Sequence, residues 1–181
     1  MFRNWLEKLI YGGGVLFDLT KWFVMGIVIL TVATTFFLAF FVVDGESMEP
    51  NLHTGEMILW QKNAYSKKLP SRNDIVVVNF PGDPVHRKYV KRIVGLPNET
   101  IKISNGKVYI NGVEDQEDYL SFDVLTAPDT ELQLGSDQYF VMGDNRENSS
   151  DSRNFGPVEK RFVLGRSLAI IFPRFRLTKD I

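Results

Sequence analysis

The 181-residue sequence contains no cysteine and only two histidines, and its 21 basic residues nearly balance its 22 acidic ones. Without cysteine there is no disulfide framework, no thiolate nucleophile and no cysteine-bearing zinc site. Two histidines restrict a Ser-His-Asp triad to His53 or His86. Both sit among turn residues, in LHTGE and PGDPVHRK, where an exposed histidine is expected. They are not at ligand spacing with carboxylates and no HExxH occurs. GDNRENSSDSR lacks the glycine and terminal glutamate spacing of a calcium loop, so no metal or other cofactor is implied. A net charge of −1 leaves no basic footprint for nucleic acid, and the locally basic end, PRFRLTK, reads as a solvated tail.

What is abundant is apolar surface near the start. From Trp22 to Val43, 22 consecutive residues carry no formal charge. As a helix they reach about 33 Å, against a hydrocarbon core of about 30 Å. A buried core helix would not be apolar all round for six turns. A cleaved signal peptide would end in a small-x-small site, whereas Phe37 stands two residues before Ala39. Residues 22–43 are therefore expected to anchor the chain in a bilayer. Arg3, Lys8 and Lys21 precede the span, and Asp44, Glu46 and Glu49 follow it, which predicts a cytoplasmic N-terminus. Within residues 1–21, Phe2, Trp5, Leu6, Leu9 and Ile10 recur at helical spacing, predicting a short interfacial helix ended by Gly12 to Gly14.

Past residue 44 the pattern changes to short β-like runs with turn signals: DIVVV at 74–78, KYVKRIVG at 88–95, then QYFVMG and SLAIIF. In TIKISNGKVYING, Asn105 and Gly106 suit a type I′ turn, pairing Ile103 with Val108 and Ile101 with Ile110. Residues 114–137 are acidic and read as an exposed irregular insertion between strands. The expected architecture is mainly β: a transmembrane helix, then an all-β domain over residues 44–181.

Ser47, in VVDGESMEPNL, stands among acids just beyond the apolar run. With histidine unpromising, a serine can instead be activated by a neutral lysine. An ordinary lysine, with a pKa of about 10.4, is protonated at neutral pH unless burial lowers that value. Most lysines here lie in polar or membrane-flanking settings, and Lys102 and Lys107 alternate outward on the hairpin. Lys91 instead has Tyr89, Val90, Ile93 and Val94 around it in a strand-like run. A strand lysine can equally reach out to solvent, so spacing leaves the two roles open.

Four stretches taken in order, GESMEPNL at 45–52, DIVVV at 74–78, KRIVGLPNE at 91–99 and GDNRENSSDSR at 143–153, resemble bacterial type I signal peptidases. The single span and Gly45 resemble the shorter Gram-positive members. The resemblance implies a signal-peptidase-like β domain with a large β-rich insertion, Ser47 as nucleophile and Lys91 as general base. It also implies that Ser149 orients the lysine, and that Asp144, Arg146, Asp151 and Arg153 brace the site through carboxylate–guanidinium hydrogen bonds. The Ser47 backbone N–H is the implied oxyanion donor. Val43, Met48, Tyr89 and Val90 match positions near shallow apolar pockets, and such residues are usually core. The implied partners are the lipid bilayer and secretory preproteins with small residues at the first and third positions before the cut. Asn51 departs from a more usual threonine, and Asn98-Glu99 from a more usual Gly-Asp; asparagine tolerates the left-handed turn.

Two other readings compete. A repressor-type self-cleaving serine-lysine protease shares the β-rich fold by resemblance, but would be soluble with a helix-turn-helix ahead of it. A membrane-tethered β-domain that binds a partner without catalysis would not require Ser47, Lys91 and Ser149 together. The position of Ser47, separated from Val43 by only three residues, keeps a nucleophile close to the outer membrane surface, where a translocated chain emerges.

Overall fold

A computed structural model of the protein describes residues 2–80, 82–85, 87–121 and 124–181, with the backbone alone for residues 2–13. His86 lies outside the described residues. The chain divides into two compact units, Met1–Leu38 and Ala39–Ile181.

The first unit is the helix α1, Phe2–Phe36. Its Gly14–Phe36 stretch, 23 residues with a mean hydropathy of 1.9, is long and apolar enough to cross a membrane. Thr20, Thr31 and Thr34 donate their hydroxyls to carbonyls four residues back, so these polar groups are satisfied inside the helix. Two expectations change here. The helix runs through Gly12 to Gly14 without a break, because each glycine costs a helix only about 1 kcal/mol against alanine. It also stops at Phe36, not Val43. Residues 38–42 form the strand β1, in which Ala39, Phe41 and then Val43 turn toward the core while Phe40 and Val42 face out. A period of two buries these alternate residues, and a period of 3.6 would not.

In the second unit the chain continues as β2 (Met57–Gln61), β3 (Ile75–Asn79), β4 (Lys88–Gly95), β5 (Thr100–Ser104) and β6 (Lys107–Ile110). There follow β7 (Val113–Glu114), β8 (Thr130–Gln133), β9 (Gln138–Met142), the one-turn helix α2 (Ser152–Phe155), β10 (Val158–Glu159), β11 (Val163–Phe172) and β12 (Arg176–Leu177). Among the described residues the strands make two sheets. The larger runs β1-β2-β11-β3-β4-β9-β10 with β12 added to β11, and the smaller runs β7-β6-β5-β8.

Strand β3 explains the layering. Ile75 and Val77 pack with Met48, Leu52, Ile58 and Trp60, while Val76 and Val78 pack with Ile93, Tyr139 and Val141. A strand buried on both faces has no need to alternate with polar residues, hence the unbroken IVVV. A third cluster, including Ile101, Ile103, Val108, Phe140 and Met142, packs the smaller sheet with residues of β4 and β9. Its hairpin has the expected register, Ile103 opposite Val108 and Ile101 opposite Ile110. Asn105 and Gly106 take positive φ, 52° and 79°, as a type I′ turn requires.

The segment 114–137 is not simply an exposed loop. Thr130–Gln133 pairs with β5 as an edge strand, and Thr126 and Leu134 are buried. The basic end is likewise not a solvated tail: β12 pairs with β11, Arg176 bridges Glu56 at 2.9 Å, and Thr178 is buried. A strand edge of β11 beside a buried carboxylate gives those residues both backbone and charge partners.

Candidate active site

Ser47 lies in a tight turn between β1 and β2, tied by the bonds Glu49 N–H to Glu46 O (3.1 Å) and Leu52 N–H to Met48 O (2.9 Å). Met48 and Leu52, 1% and 0% exposed, anchor this turn in the core. The turn is fixed by its apolar neighbours, which leaves the serine at the surface of a fixed element. Lys91 sits mid-way along β4, opposite Val76 of β3. The two come together: Lys91 Nζ lies 2.6 Å from Ser47 Oγ, across 44 residues of sequence.

Lys91 is 2% exposed. Burial drives its pKa down to about 8 from the usual 10.5, against the opposing pull of Asp151 and Asp144 and with a smaller push from Arg153. A lysine that sheds its proton near neutral pH and touches a serine hydroxyl can act as a general base. Ser47, Lys91, Tyr89, Thr54, Asn148 and Ser150 line one open cleft, rimmed by Asp44 and Glu46. The Glu46 carboxylate accepts from Asn148 Nδ2 at 3.1 Å, so this acid is a structural partner as well as a flanking charge.

The loop after β9 frames the pair from one side. Asn145 N–H donates to the Ser47 carbonyl at 3.1 Å. The α-carbon of Gly143 abuts that same carbonyl and the Ser149 side chain, so any Cβ there would collide with both. Gly143 N–H donates to Asp151 Oδ2 at 3.0 Å. Asp151, fully buried, also caps α2 and takes two side-chain bonds from Arg153, each 2.8 Å. Burial alone would raise this carboxyl, but the Arg153 and Gly143 donors prevail and hold it below the usual range.

The bracing residues find these partners: Asp151 pairs with Arg153, Asp144 with Arg92, at 2.9 and 2.7 Å, and Arg146 with Glu117. Asn51, noted above only as a departure, bridges Asp144 Oδ2 (2.8 Å) and the Tyr119 carbonyl (2.9 Å). Arg92 was legible in principle, as a charged residue inside an apolar strand beside Lys91. Glu117 and Tyr119 carried no such signal. Ser149 Oγ is buried near the Asp151 carboxylate without a well-formed hydrogen bond, so the implied bond to Lys91 is not made in this state. Of the four pocket residues, Val43, Met48 and Val90 belong to the core cluster, and Tyr89 lines the cleft with its hydroxyl donating to Asp83 at 3.0 Å. His53 is exposed, 3.4 Å from Glu49, with Ser47 already matched to Lys91. Among the described residues no cluster of His, Cys, Asp or Glu has the makings of a metal site.

The family described as "Signal peptidase, peptidase S26" matches residues 16–172. Signal peptidase I S of Bacillus subtilis (strain 168) is 40% identical over 164 residues, 84% of this chain and 87% of the relative. Signal peptidase I of Bacillus amyloliquefaciens is 39% identical over 166 residues, 86% and 88% of the two chains. Probable signal peptidase I-2 of Synechocystis is 34% identical over 164 residues, 86% of this chain and 73% of the relative. With that family model matching residues 16–172 and relatives of 39–40% identity over most of both chains, the chain belongs to the S26 family of signal peptidases.

Proposed function

We propose that this signal peptidase removes the N-terminal signal peptides of translocated preproteins, with Ser47 as nucleophile and Lys91 as general base. The observation that carries the assignment is the 2.6 Å approach of a 2%-exposed lysine to a serine hydroxyl. Neutral Lys91 accepts the Ser47 hydroxyl proton as Oγ bonds to the peptide carbonyl carbon. The negative charge that develops on the carbonyl oxygen is met by the Ser47 backbone N–H. The Lys91 ammonium then returns its proton to the departing amine, leaving an acyl-enzyme. Water attacks that ester, Lys91 takes its proton, and Ser47 recovers a proton as the new carboxylate leaves.

Ser149 turns toward Lys91 during this cycle, and Asp144, Arg146, Asp151 and Arg153 hold the frame. Tyr89 lines the cleft beside Ser47 and Lys91, and Val43, Met48 and Val90, from the adjoining core, complete the shallow apolar pocket in this reading. That suits small residues at the first and third positions before the cut. The helix α1 holds the enzyme in the cell membrane, N-terminus cytoplasmic and catalytic unit on the extracytoplasmic side, so that enzyme and substrate meet at one interface.

The test is cleavage of a purified preprotein in detergent, with the new N-terminus sequenced. Ser47→Ala and Lys91→Met should each abolish cleavage while leaving the protein folded. Full activity in either variant overturns the assignment.

A further inference from the structure

The connection between β7 and β8 plays no part in the chemistry above, yet its polar groups converge on the frame of the active site. Glu117 grips the Arg146 guanidinium through both carboxylate oxygens, one contact being 3.0 Å from Nη1 to Oε2, with the Arg146 side chain 0% exposed. The same guanidinium donates to Thr126 Oγ1 at 2.5 Å and to Tyr119 Oη at 3.3 Å. Thr126, 1% exposed, ties the connection to the hairpin turn through its N–H and Gly106 O, 2.9 Å apart. The Tyr119 ring covers the Arg92 guanidinium at 4.0 Å, and the Tyr119 carbonyl receives Asn51. One short segment therefore reaches the turn bearing Ser47, the strand bearing Lys91 and the loop after β9.

We propose that Glu117, Tyr119 and Thr126 form a strap that holds the catalytic turn in its working geometry, with Glu117 a positioning residue that acts on Ser47 and Lys91 through Arg146. This deepens the proposed function and rests on the Ser47–Lys91 assignment. The path is short. Arg146 Nε donates to Gly143 O at 3.1 Å, the Gly143 α-carbon abuts the Ser47 carbonyl and Ser149, and Asn145 N–H holds that carbonyl. Without the Glu117 charge, a buried guanidinium loses its neutralising partner and moves toward water. The loop that carries it moves too. The Ser47 peptide, whose N–H faces the developing oxyanion, would shift, and water would reach Lys91.

The charged groups around Lys91 are Asp151 and Asp144, which favour its protonated form, and Arg153, which opposes it. Hydration removes the burial that outweighs the two acids, so Lys91 becomes more basic. A strap that served folding alone would alter the amount of folded enzyme and nothing in its turnover.

The experiment uses the full chain in detergent micelles, with a peptide substrate carrying alanine at the first and third positions before the cut. Rates are normalised to the folded fraction from thermal melts. Glu117→Gln should lower kcat about tenfold to a hundredfold with KM unchanged, the scale expected of a small misplacement of reacting groups. The acid limb of its pH–rate profile should move to higher pH. Tyr119→Phe, which removes one hydroxyl from the network, should move both readouts in the same direction by less. Wild-type kcat and pH profile in folded Glu117→Gln overturn the strap, and if that variant does not fold, the same result for Tyr119→Phe overturns it. Ser47→Ala measured alongside separates the two claims. Retained turnover there defeats the Ser47–Lys91 assignment itself, whereas an inactive Ser47→Ala with an unaltered Glu117→Gln defeats the strap alone.

Discussion

The Arg92 guanidinium meets the Asp144 carboxylate through two hydrogen bonds, 2.9 and 2.7 Å, with the two side chains only 2% and 1% exposed. This pair lies one residue along β4 from Lys91, and Asp144 is among the charges that Lys91 feels. Breaking such a pair strands a buried charge. Asp144→Ala should destabilise the protein by about 3–5 kcal/mol, the range for removing one partner of a buried ion pair. Arg92→Met combined with Asp144→Leu should cost far less than the sum of the single changes. Chemical denaturation of Asp144→Ala, of each single change and of the double variant checks both statements.

The depressed Lys91 pKa predicts the pH dependence of turnover. The base must be neutral, and its neutral fraction grows as pH rises through about 8, so kcat/KM should climb across that value. A profile that is flat between pH 6 and 9 would contradict a lysine base.

The same shift predicts a gain in stability when the base is lost. Unfolded, the lysine titrates near 10.5; folded, near 8. Between those values the unfolded chain binds more protons, so the Lys91 contribution improves as pH rises and its full penalty is present below pH 8. Lys91→Met should therefore be more stable than the parent at pH 7, by about 3 kcal/mol at most, while cleaving nothing. The gain should shrink steadily toward pH 10.5, as melts across pH would show.

Gly143→Ala should be damaging out of proportion to its size. The added methyl would meet the Ser47 carbonyl and the Ser149 side chain, both fixed by the surrounding turns. Activity should fall by about a hundredfold or more, the penalty for shifting reacting groups by about 1 Å.

Ser149→Ala separates function from stability in the opposite sense. Its hydroxyl is buried without a well-formed partner, so removing it should leave stability unchanged or raise it by up to about 1 kcal/mol. Turnover should nevertheless fall, because the group proposed to orient Lys91 is gone. Unchanged kcat in a folded Ser149→Ala would remove that role.

Local pattern made much of this protein legible. The apolar run announced a membrane helix because spanning a bilayer requires only length and apolarity, both written in order along the chain. Asn105-Gly106 fixed a turn and hence a register, because two residues with positive φ decide which side chains face each other. Ser47 and Lys91 were recognisable from their motifs. The partners of Asp144 and Arg146 were not, since Arg92 and Glu117 lie 52 and 29 residues away from them in sequence.

By itself, then, the sequence determined the apolar helix, the hairpin and the pair proposed to react, all of which are legible in short-range order. Tertiary structure decided where the helix stops, because Ala39, Phe41 and Val43 are drawn into a core assembled from distant strands. It also decided that Lys91 is buried against Ser47 with a lowered pKa rather than exposed as a surface cation. Desolvation depends on everything packed around a group, and no local spacing of residues specifies that.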